Sequence, residues 1–224
     1  MEILNVDILK EILHGTYSNL KHESIFKSVA EYFMMRKLLK CGEIIYKIVE
    51  CEFYFFQENG DHKDIYTHKA IEQLSFGKWY DHGSGLDITI GNEKDTYGGI
   101  LIRSLQNVNS GQYINGPLNL KKELFFNMGD VLNPVYSPHF IDILDKQISP
   151  IYGVKRVGLN RDKQNANFYY SRKYRFISDL LTANKLAEKE NIFKELYEEK
   201  SLSKNEILKL LNYKPGFLKD DTQP

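Results

Sequence analysis

Two glutamates separated by a single residue, on a stretch crowded with aromatic rings, carry the first chemical signal in this chain. Residues 44–56 read IIYKIVECEFYFF, and they lie between Gly42 and Asn59-Gly60. β-Branched and aromatic side chains bounded by turn residues predict a long strand. Alternation along it places Tyr46, Ile48, Glu50, Glu52, Tyr54 and Phe56 on one face. A carboxylate beside apolar rings suits a general base or acid, whereas the ordinary exposure of glutamate predicts a solvated position for Glu50. Arg103, in the segment GGILIRSL at 98–105, is a cation inside an otherwise apolar strand. Such a charge requires an acidic partner or an anionic ligand, and Glu52 is the expected partner.

Two further segments hold reactive side chains. Asp61, His62, Asp64, Tyr66 and His68 fall within eight residues. With Glu50, the trio His62, Asp64 and His68 has the donor chemistry of a metal-dependent hydrolase, although the spacing matches no zinc signature. A solvated loop is the plainer expectation for Asp61 and His62, while Tyr66 and His68 offer flat faces with polar edges to a pocket. Residues 77–88 contain Trp79, the single tryptophan, followed by Tyr80, Asp81, His82 and Asp87 around Gly83 and Gly85. Aromatics on such a turn could enter a base stack or cover a ligand, and Trp79 could equally be core.

The elements that must position these groups follow from periodicity. Apolar residues at helical spacing predict a helix over 24–40, with Ser24 as N-cap and Gly42 beyond its end. Besides the 44–56 strand, strands are expected at 86–90, 99–105, 154–159 and 167–171. Helix is expected over 178–200 and again from Ser203, where Ser203-Lys204-Asn205-Glu206 spells a capping box. The expected architecture is α+β: a curved antiparallel sheet or open barrel with surrounding helices and a C-terminal helical extension. The sheet and its helices would occupy residues 1–176 and the extension 177–224, packed on the same domain.

Composition narrows the classes. Thirty basic and thirty acidic residues balance over 224 positions, with 42% hydrophobic side chains, which excludes wholesale disorder and a histone-like polycation. No apolar run reaches the length of a membrane span. The first residues lack the pattern of a signal peptide, and two isolated cysteines suit a reducing cytoplasm. The neutral total hides an asymmetry, because residues 151–176 carry seven basic side chains against Asp162 alone. Six aromatic rings are interleaved with them, the combination a phosphate backbone with unstacked bases would need. Arg156, Arg172 and Lys173 are the candidate DNA contacts in that stretch, and a solvated charged hairpin is the plainer alternative.

In chain order, these segments resemble the alkyladenine (3-methyladenine) DNA glycosylase family. Val49-Glu50-Cys51-Glu52-Phe53-Tyr54 is similar to its V-E-T-E-A-Y strand, Asp64 to His68 to its D-x-x-x-H, and Leu101-Ile102-Arg103-Ser104-Leu105 to its L-I-R-A-L. Gly116-Pro117-Leu118-Asn119-Leu120 resembles its G-P-x-K-L, Arg156-Val157-Gly158 its R-V/I-G, and Asn167-Phe168-Tyr169-Tyr170 its R-F-Y-V. The similarity runs over about two-thirds of the chain, residues 28–178. It implies a monofunctional glycosylase that flips an alkylated purine out of duplex DNA and hydrolyses its glycosidic bond, needing no metal or cofactor. By the same resemblance, Glu52 would activate the water with help from Arg103 and the carbonyl of Val157. Tyr54 and His68 would sandwich the base. Asp87 stands where the family has an asparagine, and a carboxylate there would favour a cationic base. Tyr80, or Trp79 after a one-residue shift, would wedge into the duplex. Asn119 replaces the family's lysine, and the third stacking ring has no equivalent. The implied partner is double-stranded DNA, the implied state a monomer, and the implied location the cytoplasm at the nucleoid. The alternatives are a relative kept for nucleic-acid binding with altered chemistry, and the metal-dependent hydrolase above.

Overall fold

A computed structural model describes residues 6–15, 21–130, 132, 137–143, 149–162 and 166–218. Its backbone is organised around the strand that the aromatic run predicts, β2 (Ile44–Gln57), which follows α1 (Val6–His14), α2 (His22–Arg36) and β1 (Lys37–Cys41). Then come β3 (Phe76–His82), β4 (Gly85–Ile90), β5 (Thr96–Asn107), β6 (Tyr113–Asn115), α3 (Pro117–Asn127), β7 (His139–Asp142), β8 (Tyr152–Val154), α4 (Ala166–Tyr170), β9 (Arg175–Ile177), α5 (Lys189–Glu198) and α6 (Lys204–Leu211). The sheet runs β3-β4-β5-β2-β1-β7, with β6 on β5 and the β8-β9 pair on β2, antiparallel throughout. It curls into a half-barrel, so the expected α+β architecture is the one observed.

Several boundaries depart from the periodicity. The helix expected over 24–40 starts earlier and stops at Arg36. Lys21, not Ser24, is its cap residue, and the Ser24 hydroxyl bonds back to the Lys21 carbonyl at 2.8 Å. Residues 37–41 become an inner strand because both their edges find partners, β2 on one side and β7 on the other. Two ladders outweigh a local helical pattern. Of the strand expected at 154–159 only Val154 is in a strand, as the last residue of β8, and 167–170 lie in the short helix α4. The helix expected over 178–200 is only α5. Before it the backbone is irregular, and the buried Asn184 side chain bonds the Asp179 carbonyl, closing a loop where a helix would have run. The capping box at Ser203 and Glu206 is present as spelled.

Two apolar clusters hold these elements. Phe26 of α2 stacks on Phe53 at 4.8 Å, with Phe55, Tyr174 and Phe176 completing a core between α2 and the sheet. Val154 and Ile177 of β8 and β9 anchor the second, packed with Phe193, Leu196, Ile207 and Leu211 of α5 and α6. Among the described residues no helix is long and apolar enough to cross a membrane.

His62 overturns the expectation of a solvated loop. It is 0% exposed, its Nδ1 lies 2.8 Å from the Phe55 carbonyl and its Nε2 2.9 Å from the Tyr174 hydroxyl. Burial, with the neighbouring His22, lowers its pKa from 6.5 to about 3. The unfolded imidazole takes a proton near 6.5 and the folded one holds out to about 3, so unfolding takes up a proton between those limits. This contribution is intact above pH 6.5 and falls by about 1.4 kcal/mol per pH unit as pH drops. Denaturant unfolding should therefore show a loss of about 2 kcal/mol from this residue between pH 6.5 and 5. A His62→Gln chain with the same pH slope as wild type would refute the assignment.

Candidate functional site

The site grows from an irregularity in β2. Pairing with β5 slips between Ile48 and Cys51, a bulge that also frees the Val49 carbonyl to accept from the Ser178 amide. Bulges re-aim side chains, and beyond this one Glu50, Glu52 and Tyr54 converge on Arg103 of β5. Arg103 Nε lies 2.8 Å from Glu50 Oε1 and its Nη1 3.3 Å from Glu52 Oε2. Glu50 is not solvated. It also accepts from Arg175 Nε at 2.8 Å and from the Ser104 hydroxyl at 2.7 Å, so a buried carboxylate is held by two guanidinium groups and fixes Arg103 in place.

Glu52 is 0% exposed and accepts three donors: the Tyr54 hydroxyl at 2.8 Å, the Val157 amide at 3.1 Å and Arg103. Val157 thus meets Glu52 through its N–H. A carboxylate has about four lone-pair sites, so one remains. Burial and the Glu52 charge raise the Tyr54 pKa well above 10, which keeps its hydroxyl a donor. Burial alone would lower the pKa of Arg103, but Glu52 and Glu50 outweigh it and hold the guanidinium charged.

In front of this group lies a cleft of about 380 Å³, within the size range of small-ligand sites, roughly 300–1,000 Å³. Tyr54, Arg103 and Val157 form one wall, with Glu52 directly behind them; Tyr66, His68, Gln73, His82, Asp87 and Leu101 complete it. The turn at Val157-Gly158 passes along the rim with Gly158 at φ 70°, a conformation that favours glycine. His68 packs its ring 4.8 Å from that of His82, and Tyr80 sits half-exposed beside both.

The structure separates the other candidates. Trp79 does not face the cleft: strand alternation turns it to the opposite side of β3, where its Nε1–H donates to the Pro138 carbonyl at 2.7 Å and its ring stacks on Phe140. Arg156, expected to contact DNA, is buried. Its guanidinium pairs with Asp64 at 2.6 Å, donates to the Phe53 carbonyl at 2.9 Å and lies 4.6 Å from the Tyr54 ring centre. It therefore braces the wall of the cleft. Arg172 lies over Phe168 and 3.8 Å from Glu23, and Lys173 pairs with Glu199. The basic excess of residues 151–176 is thus largely met by acids elsewhere in the chain. Glu50, His62, Asp64 and His68 are not brought together, since the first three are each tied to other partners, and among the described residues no group of three His, Cys, Asp or Glu side chains could hold a metal.

Gln73, on a one-turn 3-10 helix at Ile71–Leu74, is among the lining residues that the sequence does not mark, and no periodic or motif signal points to it. No protein-family model matches the chain. The chain is similar to an uncharacterized protein of Acanthamoeba polyphaga mimivirus, 32% identical over 131 aligned positions that cover 48% of this chain and 59% of the viral protein.

Proposed function

We propose that this chain is a monofunctional DNA glycosylase that flips an alkylated purine into the cleft and hydrolyses its glycosidic bond. The observation that carries the reading is Glu52, held by Arg103, Val157 and Tyr54 with one lone-pair site left, immediately behind a cleft walled by aromatic rings. Water delivered with the nucleotide would give its proton to Glu52 and its oxygen to the sugar carbon. The bond from that carbon to the purine nitrogen breaks, and its electron pair neutralises the positive charge of an N-alkylated base. Arg103 orients Glu52. Tyr54 and His68 would supply the stacking faces, and Tyr80, half-exposed beside His68 and His82, would enter the duplex. Double-stranded DNA is the proposed partner, bound by a monomer, with Arg161, exposed and stacked over Tyr170, as a phosphate contact.

The test is mass-spectrometric detection of free bases after incubation with methylated duplex DNA. Release of 3-methyladenine or 7-methylguanine is expected. One observation favours a second reading, binding without hydrolysis: Glu52 exposes no surface of its own. Tight binding to a duplex containing an abasic-site analogue, with no base released, would select that reading instead.

A further inference from the structure

The end of the cleft opposite Glu52 carries chemistry of its own. Asp87 of β4 is 2% exposed and lines the cleft, and its Oδ1 lies 3.0 Å from His82 Nε2. The tautomer of His82 follows from its other nitrogen: Nδ1 accepts the Ser84 amide at 3.2 Å, so in the neutral ring the proton sits on Nε2 and is donated to Asp87. Gln73 turns its Nε2 toward Asp87 Oδ2 at 3.5 Å, so its carbonyl oxygen is the end of the amide not engaged with Asp87. Gln73 is 1% exposed, and its Oε1 has no hydrogen-bond partner. Space for this arrangement depends on Gly99 of β5, where a Cβ would lie 2.3 Å from Asp87 Oδ2 and 3.0 Å from Gln73 Nε2.

The protein's own donors here, His82 Nε2–H and Gln73 Nε2–H, both point at Asp87. What these two cleft-lining side chains have left is acceptor capacity: the other lone pairs of the carboxylate and the unpaired, buried Gln73 oxygen. A buried acceptor without a donor is destabilising, and a ligand bearing N–H groups would remove that penalty. Among purines, adjacent ring and exocyclic N–H groups on one edge are the mark of guanine. Hypoxanthine has the ring N–H without the amine, and adenine has the amine beside a bare ring nitrogen.

We propose that Asp87 and Gln73 form a floor that selects guanine-type bases, so that the enzyme's substrates are N-alkylated guanines in preference to alkylated adenines or hypoxanthine. This rests on reading the cleft as the base pocket, and it assigns Gln73 and His82 to substrate selection, His82 as the residue that orients Asp87. Gly99 is required to keep the floor open.

The experiment is calorimetric titration of the wild-type protein with free 7-methylguanine and with 7-methylhypoxanthine, which differ by the 2-amino group alone. At least about a tenfold tighter affinity for 7-methylguanine is expected, because a site built to accept from an N–H discriminates against the analogue lacking it. Asp87→Asn, which places an amide donor against the base, and Gln73→Met, which removes the free acceptor, should each erase most of that difference. Both must retain the wild-type circular dichroism spectrum. Equal affinities, no detectable binding of either base, or a preference unchanged in both variants would overturn the proposal. The titration does not depend on catalysis. If methylated DNA yields no free base while the preference holds, the glycosylase reading fails and the floor's selectivity stands. If bases are released without discrimination, the floor alone is refuted.

Discussion

Replacing Glu52 by glutamine should cut the release of alkylated purines by at least about a hundredfold, since a positioned general base contributes about 10²–10⁴ in rate. The amide is nearly isosteric, but it cannot take the proton of water. It also sets an N–H₂ against one of the donors that now meet the carboxylate, Arg103, the Val157 amide or the Tyr54 hydroxyl. The measurement is single-turnover base release from methylated duplex, with binding to an abasic-analogue duplex as the control for an intact cleft. Loss of release with binding retained places Glu52 at the chemical step. Release at the wild-type rate would remove Glu52 as the base and with it the mechanism proposed above.

The largest effect on stability is expected at Arg156. Substituting methionine leaves Asp64 buried without its guanidinium, and breaking such a pair from one side costs roughly 3–5 kcal/mol. Three further contacts go with it: the Phe53 carbonyl of β2, the Tyr169 carbonyl of α4, and the cation against the Tyr54 ring. The strand carrying Glu52 and Tyr54 would thereby lose its brace. Urea unfolding should report the loss, and the double variant Asp64→Asn with Arg156→Met should recover part of it, because the stranded charge has been removed. An unchanged unfolding midpoint for the single variant would show that the pair is not the support its burial implies.

Arg156 also shows where sequence reading reaches its limit. A basic residue in a stretch rich in cations and aromatics carries the same letters whether it faces a phosphate or an aspartate. Its partner here lies 92 residues away, as Arg175 lies 125 residues from Glu50. Nothing local distinguishes the two fates. The contact between Arg103 and Glu52 was easier to foresee, because a cation embedded in an apolar strand has few ways to be satisfied. The expectation of a solvated Glu50 fails for the complementary reason: exposure is the average fate of glutamate, and the two guanidinium groups that change it come from β5 and β9. His62 follows the same logic, as its loop reads polar while α2 and β9's approach close over it.

Local patterns by themselves determined the long aromatic strand β2, the strands β4 and β5, the α+β class and the capping box at Ser203, all of which depend on side-chain periodicity or on contacts within a few residues. Tertiary structure decided the rest. It drew residues 37–41 from a helical pattern into a strand with two partners, turned residues 167–170 into a helix, buried the arginines of the basic stretch against distant acids, and set Gln73 beside Asp87 at the end of the cleft. Each of those outcomes depends on which surfaces meet when the sheet curls, and the free energy of pairing a buried charge or completing a ladder exceeds the local preference of the residues involved.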